Sequence, residues 1–259
     1  MNAALRGAAA ALAPFAVILV LWQLAAKFAG LPPSLFPPLE SIFAALLKML
    51  SDGSLAADLA GTFRRLFESV LVGAVIGTLF GTMMGYFKWI ERASVAPMNF
   101  LLSIPGTALF PLTLIWFGLS EMAIISILIY EVALTVTVMT WTGVKSIDLS
   151  LIRAGRVFGA RGAGMLWRVL IPAALPSIIG GYRLAFSRAW RILIIAEMLV
   201  SVAAGLGYRL YYAREYFHFE LVYAGLLVVG LSGLLIERVL LRTLEKATVN
   251  RWGTVRELA

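Results

Sequence analysis

Residues 66–87 read LFESVLVGAVIGTLFGTMMGYF, with a single charge, Glu68, near the start. A helix crossing the hydrocarbon core of a bilayer needs about 20 mostly apolar residues, and this stretch supplies them. It also carries Gly73, Gly77, Gly81 and Gly85. A spacing of four puts all four on one helix face, where a second backbone can approach closely. The stretch is read as a spanning helix with a small-residue face. That face is first a packing surface; a surface that slides during alternating access is the second reading.

Five more segments meet the same length test: 8–28, 96–117 (broken by Pro105 and Pro111), 122–144, 173–200 and 221–241. The first is read as a retained anchor rather than a cleaved signal. The composition agrees with so many spans. Of 259 residues, 61% are hydrophobic and 14% charged, and mean hydropathy is +0.91, whereas soluble domains are about half apolar and about a quarter charged. A soluble enzyme, a disordered tail and a disulfide scaffold are excluded. Cysteine is absent and His218 is the only histidine, so no metal site is expected. The reading is an all-α membrane protein with six transmembrane helices. It comprises an N-terminal anchor (1–30), an extracytoplasmic Pro-rich segment with an amphipathic helix over 39–50 (31–65), a five-helix core (66–245) with a cytoplasmic loop (145–172), and a tail (246–259).

Six spans place both ends on one side, and the basic residues choose it. With cytoplasmic termini, the inner segments hold Arg6, Lys88, Arg92, Lys145, Arg153, Arg156, Arg161, Arg168, Arg238, Arg242, Lys246, Arg251 and Arg256. The outer ones hold Lys48, Arg209 and Arg214. The formal net charge of +8 is thus mainly topology, and no nucleic-acid partner is needed to explain it.

Charges within spans are costly and mark structure or function. The fifth span holds Arg183 near its cytoplasmic end, then Arg188 and Arg191 near its middle on one face, with Glu197 beyond; the fourth offers Glu131. Two readings stand. Glu131 or Glu197 forms a structural ion pair with one arginine, or the arginines line a path for an anionic solute. Trp190 and the Pro105–Pro111 break are further path candidates, with a kinked packing helix as the plain alternative. Trp116 and Phe117 read as interfacial aromatics, and His218 as an interfacial side chain. The outer segment 205–220, GLGYRLYYAREYFHFE, either meets a soluble partner or caps the bundle.

The longest inner loop, KSIDLSLIRAGRVFGARGAGMLWRVLIPAALP (145–176), exceeds what a connector needs. It reads as two short helices, 148–158 and 163–170, separated by GARG and stopped by Pro172 and Pro176. It is either an interfacial hairpin whose arginines meet anionic lipid or a docking site for a soluble partner. For docking, Met165, Leu166 and Trp167 stand beside Arg161 and Arg168. Its spacing resembles the E-A-A-x3-G-x9-I-x-L-P fingerprint of ABC importer permeases. Here it runs Arg153, Ala154, Gly155, three residues, Gly159, nine residues, Val169, one residue, Ile171, Pro172. Arg153 replaces the glutamate and Gly155 the second alanine. The segments SIPGTALFPLTLIWFGLSE, LIPAALPSIIGGYRLAFSRAWRILIIAEMLV and GLGYRLYYARE are similar to the nitrate/sulfonate/taurine branch.

The resemblance implies a type I importer permease of the bacterial inner membrane. It implies pairing with a second permease copy, two cytoplasmic P-loop ATPase subunits on the loop and an extracytoplasmic solute-binding protein. ATP and Mg would then be bound by the partner ATPase. In agreement, no lysine follows a glycine, so the chain has no G-x-x-x-x-G-K-[ST] phosphate loop of its own. The expected role is a non-catalytic path for a small solute, an anion such as a sulfonate, taurine, nitrate or bicarbonate. An aromatic or vitamin-precursor cargo is the alternative within the family type. A self-contained secondary transporter or channel is the rival class.

Overall fold

The computed structural model describes residues 2–30, 32–200 and 203–237. The end of the predicted sixth span, the tail 246–259 and the basic residues from Arg238 onward lie outside the described residues, as does the side chain of Arg6. Every regular element described is helical: α1 (Asn2–Phe28), α2 (Leu39–Ser51), α3 (Ser54–Tyr86), α4 (Lys88–Ser103), α5 (Phe110–Phe117), α6 (Glu121–Lys145), α7 (Leu149–Val157), α8 (Ala163–Met165), α9 (Ile171–Leu199), α10 (Leu206–Glu215) and α11 (Phe219–Leu235).

The helix around residues 66–87 is longer than its apolar stretch. α3 starts at Ser54 and runs 33 residues, about 50 Å at 1.5 Å per residue, against a hydrocarbon core of about 30 Å. Residues 54–65, assigned by sequence to the preceding segment, are its first turns. They hold no proline or glycine pair to stop it, and Leu55, Asp58, Thr62 and Arg65 recur every three or four residues as a buried stripe.

The glycine face of α3 meets α6 with no room to spare. A β-carbon on Gly73 would lie 2.7 Å from Val132 Cβ; on Gly77, 2.7 Å from the Ala133 carbonyl oxygen; on Gly81, 2.5 Å from that of Thr137; on Gly85, 2.5 Å from Val144 Cβ. Rising numbers on one helix meet rising numbers on the other, so α3 and α6 run parallel. The chain between Tyr86 and Glu121 must therefore travel back across the bundle. It does so as a broken span, α4 and then α5, bent by 85°. At one end Glu91 of α4 accepts from Lys145 and Trp141, and farther along Tyr130 donates to the Leu101 carbonyl.

The break lies at Pro105, as a residue before proline is held extended (Ile104, φ −92°, ψ 114°). Gly106–Leu109 then form a tight 3₁₀ turn. Pro111, read from sequence as a second break, instead occupies the first turn of α5, where a missing N–H costs nothing.

The second half of the inner loop also departs from expectation. Ala163–Leu199 is one helix of 37 residues, so neither Pro172 nor Pro176 stops it. A single wide π-type turn at Leu166–Leu170 lies just before Pro172, the kind of local adjustment by which a helix accommodates proline. α9 packs antiparallel on α6, with Gly143 against Ser177 and Gly181 against Met139. Of the first and sixth expected spans, α1 is 27 residues long, Asn2–Phe28, and α11 is apolar from Phe219 to Leu235, with residues from 238 onward outside the described ones. Besides these, the described residues hold three uninterrupted helices long and apolar enough to cross a membrane and one broken pair.

A buried ionic lock ties the Glu121 end of the bundle. Arg65 and Glu197, both fully buried, pair at 2.6 Å, and Arg65 also reaches Glu121 at 2.7 Å and the Ala204 carbonyl. Glu197 further accepts from Thr62 and the Gly207 amide. Asp58 accepts from the Gly205 amide and from Arg209. Five segments of chain meet here with their charges saturated.

Two outcomes are expected from thermal unfolding in detergent. Gly81→Val should lower stability by about 1–3 kcal/mol through overpacking, while Gly230→Ala, with open space around it, should not destabilise. Glu197→Gln should cost about 1–3 kcal/mol, since Arg65 keeps Glu121, whereas Arg65→Met should cost about 3–5 kcal/mol by stranding buried Glu197, and adding Glu197→Leu should recover much of that loss.

Candidate translocation path and docking loop

The turn after Pro105 brings Gly106 under the carboxylate of Glu131 on α6. A β-carbon at 106 would stand 2.9 Å from Oε2 and push the carboxylate aside. Glu131 faces Arg188 on α9 at 3.6 Å, with the Glu131 side chain 16% exposed and that of Arg188 45%. Arg191, one turn on, donates Nε to its own helix at the Ser187 carbonyl, 3.3 Å. No acid pairs with Arg191 among the described residues. These groups, with Thr107, Thr135 and Ile192, line a cavity of about 570 Å³ between the broken span, α6 and α9. The Thr135 hydroxyl is buried without a partner, as is that of Thr140 in the seam with α3, whereas Thr82, Thr113 and Thr142 bond back to their own helices. Two guanidinium groups against one loosely held carboxylate leave the cavity cationic.

Three of the five residues expected on the path therefore meet, and two do not. Trp190 is buried on the other side of α9, stacked on Phe63 at 5.7 Å and packed against Gly233. Glu197 is seven residues farther on and shares that opposite face, which is why its partner is Arg65 and not Arg188 or Arg191. At about 100° per residue, positions 190 and 197 fall roughly opposite 188. Arg183 lies 3.6 Å from Glu237. Gly73, Gly77, Gly81 and Gly85 all pack on α6, away from this cavity.

The loop that follows α6 is built around a second cavity. The Asp148 side chain caps α7 by accepting from the Ser150 amide at 2.7 Å, and that amide holds the carboxyl below its ordinary range. α7 buries no residue, leaving Arg153, Ala154 and Arg156 exposed. Gly155 is the point of closest approach, since a β-carbon there would touch Val169 at 2.9 Å. Gly159 (φ +82°) and Gly162 (φ +50°) turn the chain through conformations L side chains rarely adopt, with exposed Arg161 between them.

Leu151, Ala154, Gly155 and Phe158, at helical spacing, then face Val169 and Pro172 across a cavity of about 720 Å³. Within 163–170, read from sequence as the docking helix, Met165 and Leu170 are buried against Val144, Ala174 and Ile178. Leu166 is half-buried and Trp167 is exposed. The exposed apolar surface lies instead on α7 and its end, at Leu149, Leu151, Val157 and Phe158, the last 89% exposed. Sequence reading passed over these four, although apolar residues flanking a glycine turn in the most basic loop were visible.

Relatives share this plan. A putative aliphatic sulfonates transport permease protein of Escherichia coli is 34% identical over 85% of this chain and 83% of its own length. A putative ABC transporter permease protein of Methanocaldococcus jannaschii is 33% identical over 86% of this chain and 85% of its own. The MetNI methionine ABC transporter, in inward facing conformations, superposes with a TM-score of 0.63 at 22% identity, covering 73% of this chain and 95% of that one, and so shares the fold. Residues 73–246, from the glycine face onward, match the family described as the binding-protein-dependent transport system inner membrane component, and to that family the chain belongs.

Proposed function

We propose that this chain is the membrane-spanning subunit of an ATP-driven importer of the bacterial inner membrane, and that it works as a pair. Two P-loop ATPase subunits dock on the loop around α7 and hold the ATP and Mg. An extracytoplasmic binding protein hands over a small organic anion of the sulfonate class. One observation carries this reading: a single helix, Ala163–Leu199, bears the wall of the loop cavity at its start and Arg188 and Arg191 toward its far end. A partner seated on the loop therefore acts on the same rigid body that carries the cations.

The chemistry of the path follows from its charges. Cations in a low-dielectric site reduce the desolvation barrier of an anion. The attraction must stay modest, since a deep well would hold the solute. Glu131 supplies that moderation by offsetting Arg188. Arg191 is left to face the solute, and the sulfonate named for the Escherichia coli relative offers three oxygens to a planar fork of donors.

Phe158→Asp should abolish co-purification of the ATPase subunits and uptake together, with the melting temperature of the permease unchanged because the ring touches nothing it needs. Arg191→Gln should keep the ATPase bound and lower uptake of an alkylsulfonate about tenfold or more, the value of a charge-assisted hydrogen bond. Normal uptake by the purified Arg191→Gln transporter in vesicles would remove Arg191 from the path.

A further inference from the structure

Behind α7, away from the docking cavity, lies an open basin of about 870 Å³ that the transport reading leaves unused. Its cations are Lys88 and Arg92 on α4 and Arg156 on α7, all exposed. None of the three forms an ion pair with an acid among the described residues. The acid beside them, Glu91, is engaged by Lys145 at 2.9 Å and by the Trp141 indole at 3.1 Å. Tyr86, Phe87 and Trp89 complete the lining, and Trp89 is 71% exposed.

We propose that this basin binds the phosphodiester headgroup of an anionic phospholipid from the adjoining leaflet. The depth is right: three aromatic residues follow directly on the apolar run of α3, where aromatic side chains mark the headgroup level. The walls are right: exposed Phe80 and Met83 carry an apolar stripe of α3 up to Phe87, a surface for acyl chains beside a nest of cations. The side is right: anionic headgroups and basic residues meet at the inner leaflet, where the basic loops place this end of the bundle. An acidic protein surface would match the cations but not an apolar rim continuous with a spanning helix. Arg156 lies around α7 from the Leu151, Ala154, Gly155 and Phe158 stripe, so one headgroup joins α4 to the helix that carries the docking surface. The lipid thereby steadies the loop from the side the ATPase does not cover.

The test is native mass spectrometry of the full-length chain released from vesicles of mixed phosphatidylcholine and phosphatidylglycerol. The expected result is selective retention of phosphatidylglycerol, weakened about fivefold by each of Lys88→Gln, Arg92→Gln and Arg156→Gln, and preserved by Lys88→Arg. Unchanged melting temperatures would show that the variants fold. Retention that survives the triple variant would overturn the proposal. So would displacement of the lipid by inorganic phosphate, which would mark a site for free anions. Variants that keep the lipid and shed ATPase subunits would mark a protein contact and overturn it equally.

Discussion

Four β-carbons have no space between α3 and α6, and the direction of the rest of the chain follows from that. Glycine at every fourth position of α3 lets its backbone lie against Val132, Val136, Thr140 and Val144, a β-branched ridge also repeating every four residues. Because the two helices are parallel, the chain joining them has to recross the bundle, and the recrossing breaks where Ile104, held extended before Pro105, ends α4. The turn after that proline puts Gly106 beside Glu131 and so makes one wall of the cationic cavity. Antiparallel α9 closes the other wall, again through small residues, Gly143 and Gly181. A packing constraint at one face thereby locates a polar site at another.

Charge is used in two opposed ways along the same bundle. At the Glu121 end, Arg65 and Glu197 are withdrawn from solvent with their bonding capacity filled by Thr62, Ala204 and Gly207. Such a cluster is stable only when complete, because losing one member strands the others. At the cavity, Arg188 and Glu131 stand 3.6 Å apart, Arg191 has no acid among the described residues, and Thr135 leaves its hydroxyl unmatched. Saturation holds a structure still, whereas unsaturated groups are available to a solute that arrives and leaves.

Much of this was legible from residues alone, and the failures have physical causes. The glycine spacing announced close packing because its period equals that of a helix face. The loop's glycine spacing announced its turns, at Gly159 and Gly162, because such turns are local. Helix ends were misjudged where distant partners neutralise charge. Residues 54–65 were placed ahead of the second span, but Asp58 and Arg65 find Arg209, Glu121 and Glu197, residues 56 to 151 positions away. Glu197 was matched with the wrong arginines because its span was read for composition and depth, while helical angle sends it and Trp190 to the far face. Within 163–170, Met165 and Leu170 have a tertiary use, covering Val144, that no local pattern reveals, while the larger exposed apolar surface of the loop falls on α7.

The helix from Ala163 to Leu199 is long enough that a push on the loop would be felt at the cavity as a lever's would. Met165 and Arg188 are about 35 Å apart along its axis. A tilt of about 5° about a pivot at one of them would carry the other through roughly 3 Å, comparable to one hydrogen-bond length. Gly143 and Gly181, where α9 presses most closely on α6, are the natural fulcrum, nearer the arginines than the loop. Force applied at the loop would reach the path with mechanical advantage, a larger displacement at the docking end becoming a smaller, stronger one beside Glu131.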